Sequence, residues 1–115
     1  MIRWTLAPAG LLLAITSDLA AQGKGIRFWN LTTATISRFQ LSPAGKDSWG
    51  PNQTLNEKDK EVDHDERLRI TGVGPGRYDA KISYRDKRQC LVRDIEIKAD
   101  HVFSIADKDL NDCSK

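Results

Sequence analysis

The chain has 115 residues, 39% hydrophobic and 30% charged, with 4 Pro and 8 Gly. That composition excludes a multidomain enzyme, a disordered or collagenous chain and a bundle of membrane helices. Its 18 Lys and Arg against 16 Asp and Glu leave a formal charge of +2, too near balance to announce a nucleic-acid binder.

The first predicted element is an export signal. Arg3 supplies the positive start, Trp4 to Ser17 carries no charge and contains Leu11-Leu12-Leu13-Ala14-Ile15, and Leu19-Ala20-Ala21 offers small residues for cleavage after Ala21. This divides the chain into a signal peptide, 1–21, and a single β-sandwich domain, 22–115. The uncharged run falls short of the roughly 20 residues needed to span hydrocarbon, so no transmembrane segment is expected. No cysteine precedes Cys90, which excludes a lipid anchor at the cut, and the lone Arg3 is not a twin-arginine signal. The expected localisation is periplasmic or secreted, by the general secretory route.

After the signal the pattern has period two. Apolar residues fall at Ile26, Phe28 and Leu31, then at Ile36, Phe39 and Leu41, and later at Val92, Ile95 and Ile97. In each set the alternation slips by one residue, which a strand tolerates only with a bulge. Gln53 to Glu66 holds only Leu55 and Val62 as apolar side chains and has room for one helical turn. Arg67-Leu68-Arg69-Ile70-Thr71 alternates cleanly, as do Tyr78, Ala80, Ile82 and Tyr84 against Asp79, Lys81, Ser83 and Arg85. Gly72-Val73-Gly74-Pro75-Gly76 separates those two strands as a turn. It is no phosphate loop, because a strand and not a helix follows it. Arg85-Asp86-Lys87-Arg88 makes the next hairpin, and His101 to Ala106 is a last strand.

Six or seven short strands predict an all-β fold: a small antiparallel β-sandwich, Greek-key or immunoglobulin-like, with a small open β-barrel as the alternative. Its expected core is Phe28, Ile36, Phe39, Leu41, Leu68, Ile70, Tyr78, Ile82, Tyr84, Val92, Ile95, Ile97, Phe103 and Ile105. Trp29 has the opposite parity from Phe28 and either covers an edge or faces solvent. Two cysteines in an exported chain predict a disulfide, Cys90 to Cys113, tying the tail to the sheet. A redox role would require C-x-x-C spacing.

Ile36, Phe39-Gln40-Leu41-Ser42-Pro43, Asp47-Ser48-Trp49-Gly50-Pro51-Asn52, Leu55 and Gly76-Arg77-Tyr78-Asp79 share one further feature. Over about residues 30 to 97 they resemble a largely uncharacterised group of short exported bacterial β-sandwich domains with the pattern S-P…D-x-W-G-x-N…L…G-x-Y-D. The resemblance implies a sandwich without established catalytic residues. This chain departs from the pattern in its charged insert between Asn56 and Glu66 and in its cysteine positions. Trp49 itself reads as an aromatic plug over one end of the sandwich, with Asp47 and Asn52 bonding loop amides. Its rival role is a platform for a sugar ring or peptide.

Charge is divided unevenly. Residues 57–66 carry six acids and two Lys, whereas residues 67–98 carry nine bases and four acids. Asp59, Glu61, Asp63 and Asp65 alternate like the start of an EF-hand loop, but His64 stands where Gly is required and Ile70 where a bidentate Glu is required. No metal site, cofactor or catalytic residue is assigned on this basis, and the insert reads as a solvated acidic loop. Only His64 and His101 are available for general-base chemistry, and neither lies in a recognised motif. Arg67, Arg69 and Lys81, with Trp29 and Trp49, form the candidate binding surface. Its basic residues lack interleaved aromatics of the kind that stack bases, so no nucleic acid is expected. The expected function is an exported noncatalytic module binding an unknown protein or envelope surface. The alternative is a small hydrolase or metal-dependent enzyme that brings His64, His101 and carboxylates together. Asn30-Leu31-Thr32 and Asn52-Gln53-Thr54 are also N-glycosylation sequons, relevant only in a eukaryotic source.

Overall fold

A computed structural model describes residues 23–115; the export segment expected over 1–21 lies outside the described residues. Period-two segments become strands β1 (Ile26–Leu31), β2 (Ile36–Pro43), β3 (Arg67–Ile70), β4 (Gly76–Tyr84), β5 (Gln89–Ile97), β6 (Val102–Ala106) and β7 (Asn111–Ser114). Two sheets form, a three-stranded one in the order β3-β1-β6 and a four-stranded one in the order β2-β4-β5-β7. Their inner faces meet at aromatic rings. Phe28 of β1 stacks on Phe39 of β2 with centroids 4.3 Å apart, and Phe103 of β6 lies 5.5 Å from Phe28. Two separate sheets packed in this way make a sandwich and not a barrel.

The core contains the expected residues and four more: Ile26, Val62, Ala80 and Cys90 are buried, while Tyr78, Ile95 and Phe103 pack half-buried against the cluster. Two of the three expected bulges occur. β2 shifts register between Ile36 and Arg38, and β5 places both Arg93 and Asp94 opposite Asp79, with Asp94 at φ 59°. β1 has no bulge, because its inward position after Phe28 is taken by Asn30, fully buried, while Leu31 is half-exposed. A hydrophobic count cannot see this, since it assigns an inward position only to apolar side chains.

One pair departs from the antiparallel expectation. β6 runs parallel to β1, Arg27 opposite Val102 and Trp29 opposite Ser104. The tight turn in which His101 N–H bonds Lys98 O carries the chain from the end of β5 across to the other sheet. Cys90 and Cys113 are joined, which fastens β7 to β5. Among the described residues no helix is long and apolar enough to cross a membrane.

Candidate functional site

Which side chains remain free to act depends first on which are used by the fold. β2 and β3 are edge strands of opposite sheets on the same flank of the sandwich, and an unpaired edge invites intermolecular pairing. The segment from Trp49 to Val62 closes both. Along β2, Gly50 N–H bonds Leu41 O (2.9 Å), Asn52 Oδ1 accepts Phe39 N–H (3.0 Å), and Ile36 and Val62 exchange both backbone bonds. Along β3, Asn56 Nδ2 donates to Arg69 O (2.7 Å), and the buried Gln53 amide bonds both Thr71 N–H (3.0 Å) and Thr71 O (2.9 Å). Asn52 also caps the 3-10 turn Gln53–Asn56 by accepting Thr54 N–H. The Trp-Gly-Pro-Asn run is thus an edge guard.

The two Asn-x-Thr triplets fold alike. In each, the Asn Oδ1 accepts the N–H of the Thr two residues on at 3.0 Å and lies within reach of its hydroxyl. These are Asx turns. Asn30 also donates to Val62 O (3.0 Å) and Ala34 O (3.2 Å), so it pins the acidic insert to β1. The insert is correspondingly structural and not merely solvated. Val62 is fully buried, Asp65 accepts Trp29 Nε1 (2.9 Å), Asp63 accepts the Thr35 hydroxyl (2.8 Å), and Glu61 pairs with Arg85 (2.7 Å). With the carboxylates turned to different partners, among the described residues no group of three or more His, Cys, Asp or Glu is placed to hold a metal ion.

Asp79 was expected on the charged outer face, and its side chain is there but only 2% exposed. Its carboxylate accepts Gly45 N–H (2.9 Å), Asp94 N–H in the β5 bulge (2.9 Å) and Arg93 Nη1 (3.0 Å). Gly45 sits at φ +76°, a conformation that suits glycine. Burial pushes the Asp79 pKa up, but the hydrogen bonds from Gly45, Asp94 and Arg93 outweigh it and hold the carboxyl below its ordinary value. The Gly-x-Tyr-Asp signature is therefore the latch of the bulge and of the turn after β2.

The candidate binding residues fall on two opposite faces. Trp49 does not plug an end of the core; it lies half-buried on the solvent side of the four-stranded sheet, with Lys81 Nζ 4.6 Å from its ring centroid. Around them the arginines are matched: Arg93 with Asp79 and Asp47, Arg77 with Asp94, Arg85 with Glu61. Each of these guanidinium pKa values is raised, chiefly by the hydrogen bond it donates to its carboxylate. Arg67, Arg69 and Trp29 lie instead on the outer face of the three-stranded sheet. Arg67 pairs with Trp29 across the strands and stacks on its ring at 4.2 Å, and Arg69 is opposite Arg27. Among the described residues none of Arg27, Arg67 and Arg69 makes a salt bridge, and Arg27 Nε is shielded from water with no hydrogen-bond partner. Arg27 is the member that sequence reading missed. Its signal was its parity, shared with Trp29.

His64 and His101 are held at opposite ends of β1. His64 Nδ1 donates to Thr32 O (2.8 Å), just beyond that strand, while His101 O accepts Arg27 N–H near its start. Those anchor points are about 16 Å apart along extended chain. No family model, curated protein or solved structure matches this chain.

Proposed function

We propose that the chain is an exported, noncatalytic β-sandwich module that docks on an anionic protein or envelope surface through the outer face of its three-stranded sheet. The observation that carries this reading is the contrast in arginine pairing. On or beside the four-stranded sheet Arg77, Arg85 and Arg93 have close carboxylate partners and Arg38 bonds the Gln40 amide, whereas Arg27, Arg67 and Arg69 surround Trp29 without a carboxylate. Unpaired planar guanidinium groups beside an aromatic ring suit carboxylate or phosphate groups on a partner. The holding of His64 and His101 at opposite ends of β1 argues against the hydrolase alternative, because general-base chemistry on one substrate needs its groups within hydrogen-bond reach. The disulfide fits an oxidising compartment and so supports export.

Retention on a heparin matrix tests the face. Arg67→Glu/Arg69→Glu is expected to elute at lower salt than both the wild type and the charge-matched Lys46→Glu/Lys81→Glu, whose sites belong to the other layer. Equal elution of the two doubles would refute a dedicated face. Melting temperatures should stay close. The loss of the Arg67–Trp29 contact accounts for about 0.5–1 kcal/mol at most.

A further inference from the structure

The flank opposite the guard segment is built differently. β7, one of its edges, is four exposed residues, three polar and one the bridged Cys113, twisted by Asp112 at φ 47° and tied down by the disulfide, a blunted edge. β6, the other edge, reads Val-Phe-Ser-Ile-Ala, with no charge, proline or bulge. Arg27 N–H bonds His101 O, so in this parallel ladder the odd-numbered residues of β6 turn their backbone groups to β1 and the even-numbered ones turn theirs outward. Ala106 N–H, outward by that rule, is capped by Asp109 Oδ2 at 2.9 Å. Among the described residues nothing bonds the outward N–H and C=O groups of Val102 and Ser104. Beside them, Phe103 is half-buried at the wall of a cavity of about 220 Å³ shared with Glu96, Lys98, His101 and Val102.

We propose that β6 accepts an extended, acidic segment of a partner protein as a fourth strand of the three-stranded sheet. Backbone pairing would run through Val102 and Ser104, and alternate side chains of the added strand would divide between the two faces. Those turned inward meet Phe103 and its cavity, which calls for apolar residues. Those turned outward lie two strand spacings, about 10 Å, from the backbone of Arg27 and Trp29. Ser104, opposite Trp29, is small and leaves that approach open. The unpaired guanidinium of Arg27 calls for carboxylates there, and Arg67 and Arg69, one strand further away on β3, add to the positive field of the face. The acidic half of the proposal rests on the reading of the arginine face given above; the strand addition does not.

The probe is a capped seven-residue peptide alternating Glu and Val, titrated onto the disulfide-bonded protein by calorimetry. Binding is expected to be at least about tenfold tighter than for the Lys/Val version, and to be lost when alternate peptide nitrogens are methylated. Ser104→Pro removes an outward N–H without touching a bond to β1, and proline is tolerated at that side of an edge strand. It should weaken binding at least about tenfold with the melting temperature kept. Binding that survives both methylation and Ser104→Pro overturns strand addition, as does no binding of any peptide up to millimolar concentration. Equal binding of the Lys/Val peptide overturns the acidic occupant, and a dimer in sedimentation that Ser104→Pro dissolves replaces the partner with a second copy. Were Ser104→Pro to unfold, the methylated peptide decides alone. Unchanged heparin retention alongside failed peptide binding removes this proposal and leaves the arginine face standing.

Discussion

The two flanks of the sandwich solve one problem by opposite means. Between β2 and β3 the chain closes itself with side-chain amides: Asn30, Asn52, Gln53 and Asn56 stand in for backbone groups and leave the strand edges covered. Between β6 and β7 there is no such segment among the described residues, and a disulfide holds the C-terminal strand. Polar residues on the first flank act within the molecule, whereas the second flank and the arginine face, which spans β1 and β3, are the surfaces proposed to meet other molecules.

Four measurements would break or sharpen that contrast. The largest effect is expected on the open flank. Reducing Cys90–Cys113 releases a loop of about 24 residues, for which chain entropy predicts a loss of roughly 3.4 kcal/mol and a fall in Tm exceeding about 10 °C. A melting curve unmoved by reductant would show β7 to be held by its hydrogen bonds alone. On the closed flank, Asn30→Leu should cost about 3 kcal/mol in urea unfolding despite its apolar gain, because Thr32 N–H is left buried without a partner and Val62 O and Ala34 O each lose a donor.

The outer face of the four-stranded sheet adds a pH test. Asp79 has a folded pKa below its unfolded one, so its contribution is fully present above the unfolded value, near 4, and is lost as pH falls through the folded value. Asp79→Asn should therefore cost about 2 kcal/mol at neutral pH, and the gap to wild type should narrow as the medium is acidified below about pH 4. A gap independent of pH would mean that the ionised form is not what the latch uses. Asn52→Ala is expected to cost the least, about 1 kcal/mol, while uncovering Phe39 N–H on the β2 edge. The sharper readout is light scattering. New concentration-dependent association that Asn52→Asp does not show would mark the guard as protection against edge pairing.

Much of this was legible along the chain. Alternation over Tyr78 to Tyr84 and over Arg67 to Thr71 sorts inward from outward residues because successive strand side chains point to opposite faces, and that geometry is local. The slips at Ile36–Phe39 and at Val92–Ile95 marked real bulges for the same reason. The failures share a cause. Asn30 and Asp79 are polar residues in buried surroundings, and a pattern of apolar residues places a polar group inside only when its hydrogen-bond partners are known. Those partners, Val62 for Asn30 and Gly45 for Asp79, are 32 and 34 residues away.

The sequence by itself therefore determined the first six strands but not β7, the inward faces of those strands except at Asn30 and Leu31 of β1, the turns at Val73–Gly76 and Arg85–Arg88, and the cysteine pair that could bridge. Only the tertiary structure decided which sheet each strand joins. β3 and β4 follow one another in the chain with similar alternation, yet the loop between them crosses from the three-stranded to the four-stranded sheet. Arg67 and Arg69 consequently face away from Lys81, and the single basic surface expected from composition becomes two, one with most of its arginines paired to carboxylates and one whose arginines have no salt bridge among the described residues. A period of two fixes the side of its own strand to which a residue points; it carries no information about the neighbours that strand acquires, because those are set by long-range pairing and by burial of the inner faces.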